Sequence, residues 1–288
     1  MKKILVVGAN GQLGNCLRRI AFDYEWDFTF LFVGSSELDI TDRDAVLDFF
    51  EEEKPDFCIN AAAYTAVDLA EKEPERAFAV NADGPGNLAE ASNETGTALI
   101  HISTDYVFDG ETQISYSEDN FTNPPGVYGA SKLKGEELAL EGNPKTIVIR
   151  TSWLYSEYSR NFVKTMLNLF DQKEEIGVVG DQFGQPTNAN DLADTIIKII
   201  ASDRKTYGVF HYSNYPETTW YDFAAKIAEY SGSGIRINSL STAEYPTPAK
   251  RPVRSTMCLD KIEEHYNIDP RHWENSLQDC VENLMDTK

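Results

Sequence analysis

Short apolar blocks alternate along the chain with longer stretches of helical period. Lys3-Ile4-Leu5-Val6-Val7 is β-branched, apolar and ends at Gly8, as a strand buried on both faces of a parallel sheet would. Residues Asn15–Ala21 follow with helical periodicity. Phe28–Val33 predicts a second strand and Glu37–Ile40 a short third. Thr41 then caps a helix over Asp42–Glu53, with Ala45, Val46, Phe49 and Phe50 on its inner face. Asp56–Asn60 is the next strand. Pro74 opens a helix that runs to Thr95 with a kink at Gly84-Pro85-Gly86. Ala98–Ile102 and Thr146–Arg150 are further strands, and a helix starts between them near Val127, after Pro124-Pro125-Gly126. Such alternation predicts an α/β fold with a doubly wound parallel sheet of Rossmann type.

Beyond Arg150 the pattern loosens. Helices are expected over Asn161–Phe170, Asn188–Ile200 and Trp220–Tyr230, and a strand over Gly208–Tyr212. Residues 1–152 with about 186–213 should form a nucleotide-binding domain. The rest, about 153–185 and 214–288, should form a small interleaved C-terminal substrate lobe.

The formal charge of −21 argues against nucleic acid and anionic membranes as partners, because both need a basic footprint. Bound phosphates would have to be held by local donors. The four cysteines form no Cys-x-x-Cys pair and read as free thiols of a reducing, cytoplasmic protein. The four histidines lack metal-ligand spacing. No apolar run approaches the roughly 20 residues of a spanning helix, and the run before Gly8 is too short for a secretion signal.

The candidate chemistry starts at Gly8-Ala9-Asn10-Gly11-Gln12-Leu13-Gly14, set between a strand and a helix. Glycines there permit a tight turn and close approach of a pyrophosphate to the helix N-terminus. The second strand ends in Gly34-Ser35-Ser36, with neither an acid for a ribose hydroxyl nor an arginine for a phosphate, so NADH and NADPH both stay open. Asp39 would sit near the adenine or be a loop acid. Small Ala61, Ala62 and Ala63 after a strand would let a flat cofactor lie on backbone. Thr104, at the carboxyl end of a strand, could donate to a substrate carbonyl oxygen, whereas His101 reads as a packed core histidine. Tyr128 and Lys132 at i and i+4 share a helical face. An ammonium beside a phenol lowers its pKa and makes an acid/base pair.

Further stretches repeat this theme: Asn60-Ala61-Ala62-Ala63-Tyr64-Thr65, Ser103-Thr104-Asp105-Tyr106-Val107-Phe108-Asp109-Gly110, Tyr128-Gly129-Ala130-Ser131-Lys132, Gln182-Phe183-Gly184-Gln185-Pro186-Thr187 and Arg251-Pro252-Val253-Arg254-Ser255. Together they resemble the extended short-chain dehydrogenase/reductase family, and within it the reductases of sugar nucleotides. The resemblance implies hydride transfer from NADH or NADPH to C4 of a dTDP-linked 4-keto-6-deoxy sugar. It makes Tyr128 the proton donor, Lys132 its activator and a nicotinamide-ribose contact, and Thr104 a hydrogen-bond partner of the reacting oxygen. It also implies cofactor contacts at Gly8, Asn10, Gly11, Gln12, Leu13, Gly14, Asp39, Ile40, Ala61, Ala62, Ala63, Tyr64, Thr65 and Ile102, besides Tyr128 and Lys132. Substrate contacts are implied at Val67, Thr104, Asp105 and Trp153, with core packing the alternative for Trp153. Arg251 suits a diphosphate by its planar fork, or is an exposed loop charge.

Some members of that family dimerise through a metal held by acids. The matching positions here, Asn15 and Asn190, are poor ligands for a hard cation, so no structural metal is expected in a homodimer. Two rivals share the fold. A 4,6-dehydratase would usually carry an acid where Tyr106 stands, and a 4-epimerase would hold an NAD that is regenerated each turnover, with no net consumption of NADH. A regulatory subunit of methionine adenosyltransferase would bind without chemistry.

Overall fold

The computed structural model describes residues 1–24 and 26–286. Its spine is a six-stranded, all-parallel sheet: β1 (Lys2–Val7), β2 (Phe28–Val33), β3 (Phe57–Asn60), β4 (Ala98–Thr104), β5 (Thr146–Thr151) and the strand Gly208–His211. From the Gly208 strand the spatial order is β5, β4, β3, β1, β2. The chain therefore reverses its direction of winding between β1 and β3, and a crevice opens at their carboxyl ends. Ile4, Leu5 and Val6 are fully buried, as an apolar run with no polar alternation requires.

Helices cover both faces: α1 (Gln12–Ile20), α2 (Arg43–Glu53), α3 (Val67–Ala70), α4 (Pro74–Phe78), α5 (Gly84–Thr95) and α6 (Val127–Gly142). One hydrophobic layer joins the sheet to α1 and to the helix Ala189–Ala201, through Leu13, Leu17, Leu192 and Ile196. The opposite layer holds Val46, Phe50, Leu88 and Ala139 from α2, α5 and α6.

Three expectations about elements are corrected. Residues 37–40 form a turn, with Glu37 and Leu38 N–H groups bonded to the Gly34 carbonyl, and not a third strand. Leu38 and Ile40 are apolar because they plug the core under that turn. The cap of α2 is Asp42, whose carboxylate accepts from Ala45 N, and not Thr41. The irregularity in the long helix is a π-helical turn over Ala79–Asp83, just before the Gly84-Pro85-Gly86 segment and not in it. Pro85 has no N–H to give, so the Asn81 carbonyl four residues back lacks its i→i+4 bond, and a Cβ at Gly135 of α6 would meet that oxygen at 2.0 Å.

A separate cluster gathers Tyr155, Val163, Met166, Phe223, Trp273 and Leu277. It joins the helices Phe162–Phe170, Trp220–Tyr230 and Trp273–Asp286 to the parallel strand pair Glu175–Val179 and Arg236–Leu240. Ile262, Tyr266 and Ile268 pack with the main sheet instead. Among the described residues, no helix is long and apolar enough to cross a membrane. Cys16, Cys58 and Cys280 are buried free thiols, and Cys258 is half-buried and free.

Candidate active site

At the switch point, Gly8 leaves β1 with φ +79°, and a Cβ there would lie 2.5 Å from Ala62 N. Only glycine lets the ends of β1 and β3 touch in this way. A Cβ at Gly14 would lie 2.5 Å from Ala9 O, so α1 also seats directly on its own entry loop. Gly11 is the N-cap of α1 and offers no side-chain acceptor. The first N–H groups of α1 thus present the donors and positive dipole end that suit a phosphate.

These elements surround a cavity of about 290 Å³ lined by Val7, Gly8, Asn10, Gly11, Gly34, Ser35, Leu38, Asp39, Ile40, Ala61, Ala62, Ala63 and Val80. Eight of the expected cofactor residues meet there. Leu13 and Gly14 lie beneath the loop in the core. Gln12 turns its amide the other way, donating to Leu154 O at 3.3 Å and accepting from Ser156 and Asn161 at 3.0 Å each. Tyr64 is held at the edge: Asn81 accepts from its N–H and donates to its carbonyl, and its phenol donates to Glu73 at 3.0 Å. Thr65 is exposed, and Ile102 offers its carbonyl to Lys132. One oxygen of Asp39 caps the turn at Thr41, at 2.9 Å from its N–H and 2.8 Å from its hydroxyl. The residues present fit a dinucleotide: small side chains, free helix N–H groups and an acid at the far end.

The N-cap of α6 is Gly126 in extended conformation, and Val127 N donates to Glu71 at 2.8 Å. This anchors the turn that carries Tyr128 and, one turn on, Lys132. Ser131 between them donates to Tyr128 O and accepts from Asn81, so one asparagine braces both Tyr64 and α6. Lys132 is buried and donates to Ile102 O at 2.7 Å. Its Nζ lies 3.4 Å from His101 Nε2. His101 Nδ1 lies 3.1 Å from Asn60 Nδ2, and Asn60 Oδ1 accepts from Ala62 N at 3.1 Å. A backbone N–H can only donate, which fixes the Asn60 amide and leaves the imidazole hydrogen on Nε2, facing Lys132. His101 is a core histidine, as expected, and its Nε2 hydrogen faces the Lys132 ammonium, so the contact is not a hydrogen bond while the lysine is charged. Burial, with the Lys132 charge beside it, holds its pKa well below the ordinary value.

The expected lowering of the Tyr128 pKa by Lys132 is not what this arrangement gives. Burial pushes the phenol up to about 12, a hydrogen bond with Thr104 opposes the rise, and Asp105 adds to it. The same burial brings Lys132 down to about 8, against the pull of Glu136. Desolvation dominates both shifts, and each group is pushed toward its neutral form. Thr104 departs from expectation as well. Its hydroxyl donates to Asp105 Oδ1 at 3.0 Å and accepts from Tyr106 N at 3.2 Å, so its hydrogen is committed inside the protein.

On the substrate side, Tyr106 meets Tyr128 edge to face with ring centroids 5.6 Å apart. Val67 starts α3 and is half-buried. Trp153 has φ +46°, a left-handed conformation that costs a bulky residue about 1–3 kcal/mol. Its ring stacks on Trp220 at 3.6 Å and 10°, over Gly184, where a Cβ would strike the indole at 2.6 Å. Arg251 is paired with Asp68 at 3.0 Å, and Ala249 N donates to the same carboxylate. Neither a free loop charge nor an unengaged phosphate ligand describes it. Periodicity could not reveal Asn60, Asn81 or Trp220, because each acts by contacts across the fold. Asn15 donates to Asn10 O and Gly11 O, and Asn190 donates to Glu157 and Asn188.

Known proteins agree with this geometry. The family described as RmlD substrate binding domain matches residues 1–285. A dTDP-4-dehydrorhamnose reductase of Aggregatibacter actinomycetemcomitans is 42% identical over 288 residues, covering 96% of this chain and 98% of its own. The crystal structure of a dTDP-4-dehydrorhamnose reductase from Clostridium acetobutylicum superposes with TM-score 0.93 at 41% identity, covering 98% and 99% of the two chains. That of the Bacillus anthracis reductase in complex with NADP gives 0.94 at 38% identity, with the same coverage. This chain belongs to the RmlD family, that of the dTDP-4-dehydrorhamnose reductases.

Proposed function

We propose that the protein reduces the C4 ketone of dTDP-4-dehydro-6-deoxy-L-mannose to dTDP-L-rhamnose with NADH or NADPH. The observation that carries the reading is that Tyr128 lies against Thr104 and Lys132 on Ile102 O, all at the carboxyl end of β4, in a chain of this family whose glycine turn lines a cavity. The bound nicotinamide supplies the hydride. The protein's part is to hold the ketone against that ring, give its oxygen a proton from Tyr128 and stabilise the charge that develops there. Lys132, fixed by Ile102 O, reaches toward the nicotinamide ribose. Trp153, on its Trp220 platform, offers a flat wall to the sugar. Arg251 reaches the diphosphate by exchanging Asp68 for a phosphate oxygen.

A dehydratase reading lacks its base, since Tyr106 stands at that position and burial pushes its phenol further from ionisation. The free thiols suit a reducing cytoplasm. The test is NADH or NADPH oxidation with a panel of dTDP-4-keto-6-deoxy sugars. Stoichiometric oxidation with rhamnosyl product is expected, and no turnover with any of them would overturn the reading.

A further inference from the structure

Asp105 is a buried carboxyl that the reaction as described does not use. It is 1% exposed, and its Oδ2 is buried with no hydrogen-bond partner. Ser255 also acts on the carboxyl, without forming a good bond to Oδ2. Leaving an ionised oxygen buried and unsatisfied is costly. The titratable groups around it are Tyr106, next in the chain, and Tyr128 from α6, with the Arg251–Asp68 pair beyond Tyr106.

A hydroxyl has one hydrogen and two lone pairs. Thr104 Oγ1 spends one lone pair on Tyr106 N–H and also meets Asp105 Oδ1 and the Tyr128 phenol. A carboxylate only accepts. With Asp105 ionised, Thr104 must therefore give it its hydrogen, and Tyr128 must give its own to Thr104. Neither hydroxyl then has a hydrogen for a ketone. With Asp105 protonated on Oδ1, the carboxyl donates to Thr104, Thr104 donates to Tyr128, and the Tyr128 hydrogen is released toward the substrate.

We propose that the acid form of Asp105 aims the Thr104–Tyr128 pair at the substrate and resupplies Tyr128 with a proton, a role that rests on the reductase reading above. Asp105 acts through Thr104 and is a positioning and proton-supplying residue. Hydride adds to the carbonyl carbon, and the C=O π electrons move onto oxygen. That oxygen takes the Tyr128 proton, Tyr128 takes that of Thr104, and Thr104 takes that of Asp105. One hydride and one proton are consumed, and Asp105 ends as a carboxylate that water reprotonates before the next turnover.

Burial raises the Asp105 pKa to about 6, so acid and base forms exchange near neutral pH. A bound substrate that excludes more water raises it further.

The experiment is the pH dependence of kcat and KM for the wild type and Asp105→Asn, between about pH 5 and 9. In the wild type, kcat/KM should fall about tenfold per pH unit above the Asp105 pKa. The Asn amide keeps a donor toward Thr104 but has no proton to give. It should lower kcat at least about tenfold, move KM little and erase that limb of the profile. An unchanged limb in Asp105→Asn, or a raised KM with kcat retained, makes Asp105 a mere substrate contact and overturns the proposal. Should that variant fail to fold, kcat of the wild type in mixtures of H2O and D2O decides. A bowed proton inventory supports several protons in flight, and a straight line overturns the proposal. Wild-type turnover with either negative result sinks only this inference, whereas no wild-type turnover sinks the reductase reading and this inference with it.

Discussion

Tyr128 and Lys132 occupy one helical face, Lys132 buried and Tyr128 half-buried. Removing the phenolic oxygen takes away the proton donor while leaving the ring that packs beside Tyr64 and Ala70. Tyr128→Phe is therefore expected to lower kcat by about 10²–10⁴-fold with dinucleotide affinity kept within about threefold, measured by steady-state rates and cofactor titration. Lys132 sets function against stability. Its folded pKa, about 8, lies below the unfolded value of 10.5. The unfolded chain thus holds an extra proton between those values, and stability rises with pH across that window. The cost of the buried ammonium, roughly 3 kcal/mol, is full below about pH 8. Lys132→Met should be inactive yet more stable than the wild type in urea at pH 7, with the advantage shrinking toward pH 10. Equal stability of the two at pH 7 would contradict this account. The i,i+4 spacing was legible in the chain. The sign of the phenol's shift was not, because burial depends on residues such as Tyr106, brought there by the fold.

At the scale of elements, the glycine turn was readable because its neighbours, an apolar strand and a periodic helix, left one arrangement for it. The turn at Gly34 and Leu38 was not, since a short apolar segment plugging a core has the composition of a strand. The π-helical turn before Gly84 was hidden for a similar reason: helix content was visible, but the position of its fault depends on the packing of Gly135 against Asn81 O. Gly8 gives the sharpest test of the β1–β3 junction. Gly8→Ala puts a methyl 2.5 Å from Ala62 N at positive φ, so the two strand ends must part. Loss of at least about tenfold in NADPH affinity is expected, together with destabilisation of roughly 1–3 kcal/mol. A variant that binds cofactor normally in calorimetry would show that the junction tolerates the spread.

For the whole molecule, a buried polar network joins the sheet to the C-terminal region. Arg150 on β5 makes a buried pair with Glu136 of α6 at 2.7 Å. Ser103 donates to the same carboxylate. His211, on the edge strand, lies 3.5 Å from Arg150 and 3.3 Å from the Cys258 carbonyl. Burial and the Arg150 charge bring the His211 pKa from 6.5 to about 3. The unfolded chain then binds a proton that the folded one refuses, and stability falls as pH drops from about 6.5 to about 3, by on the order of 4 kcal/mol in full. His101 acts in the same direction, while Asp105, raised from 3.8 to about 6, offsets part of it. His211→Gln should narrow the gap between urea midpoints at about pH 7 and pH 5, and an unaltered gap would assign the acid sensitivity elsewhere. The chain's alternating pattern gave the sheet, but such a network has no spacing to detect, because its members are 14 and 61 residues apart.

Gln12 sits in the glycine turn, yet its amide is spent on Leu154, Ser156 and Asn161, the first of these next to Trp153, the residue proposed to wall the sugar. A dinucleotide settling on the turn therefore also steadies the wall against which the second reactant must lie. Coenzyme before ketone is the order expected from that tether, and product-inhibition patterns check it.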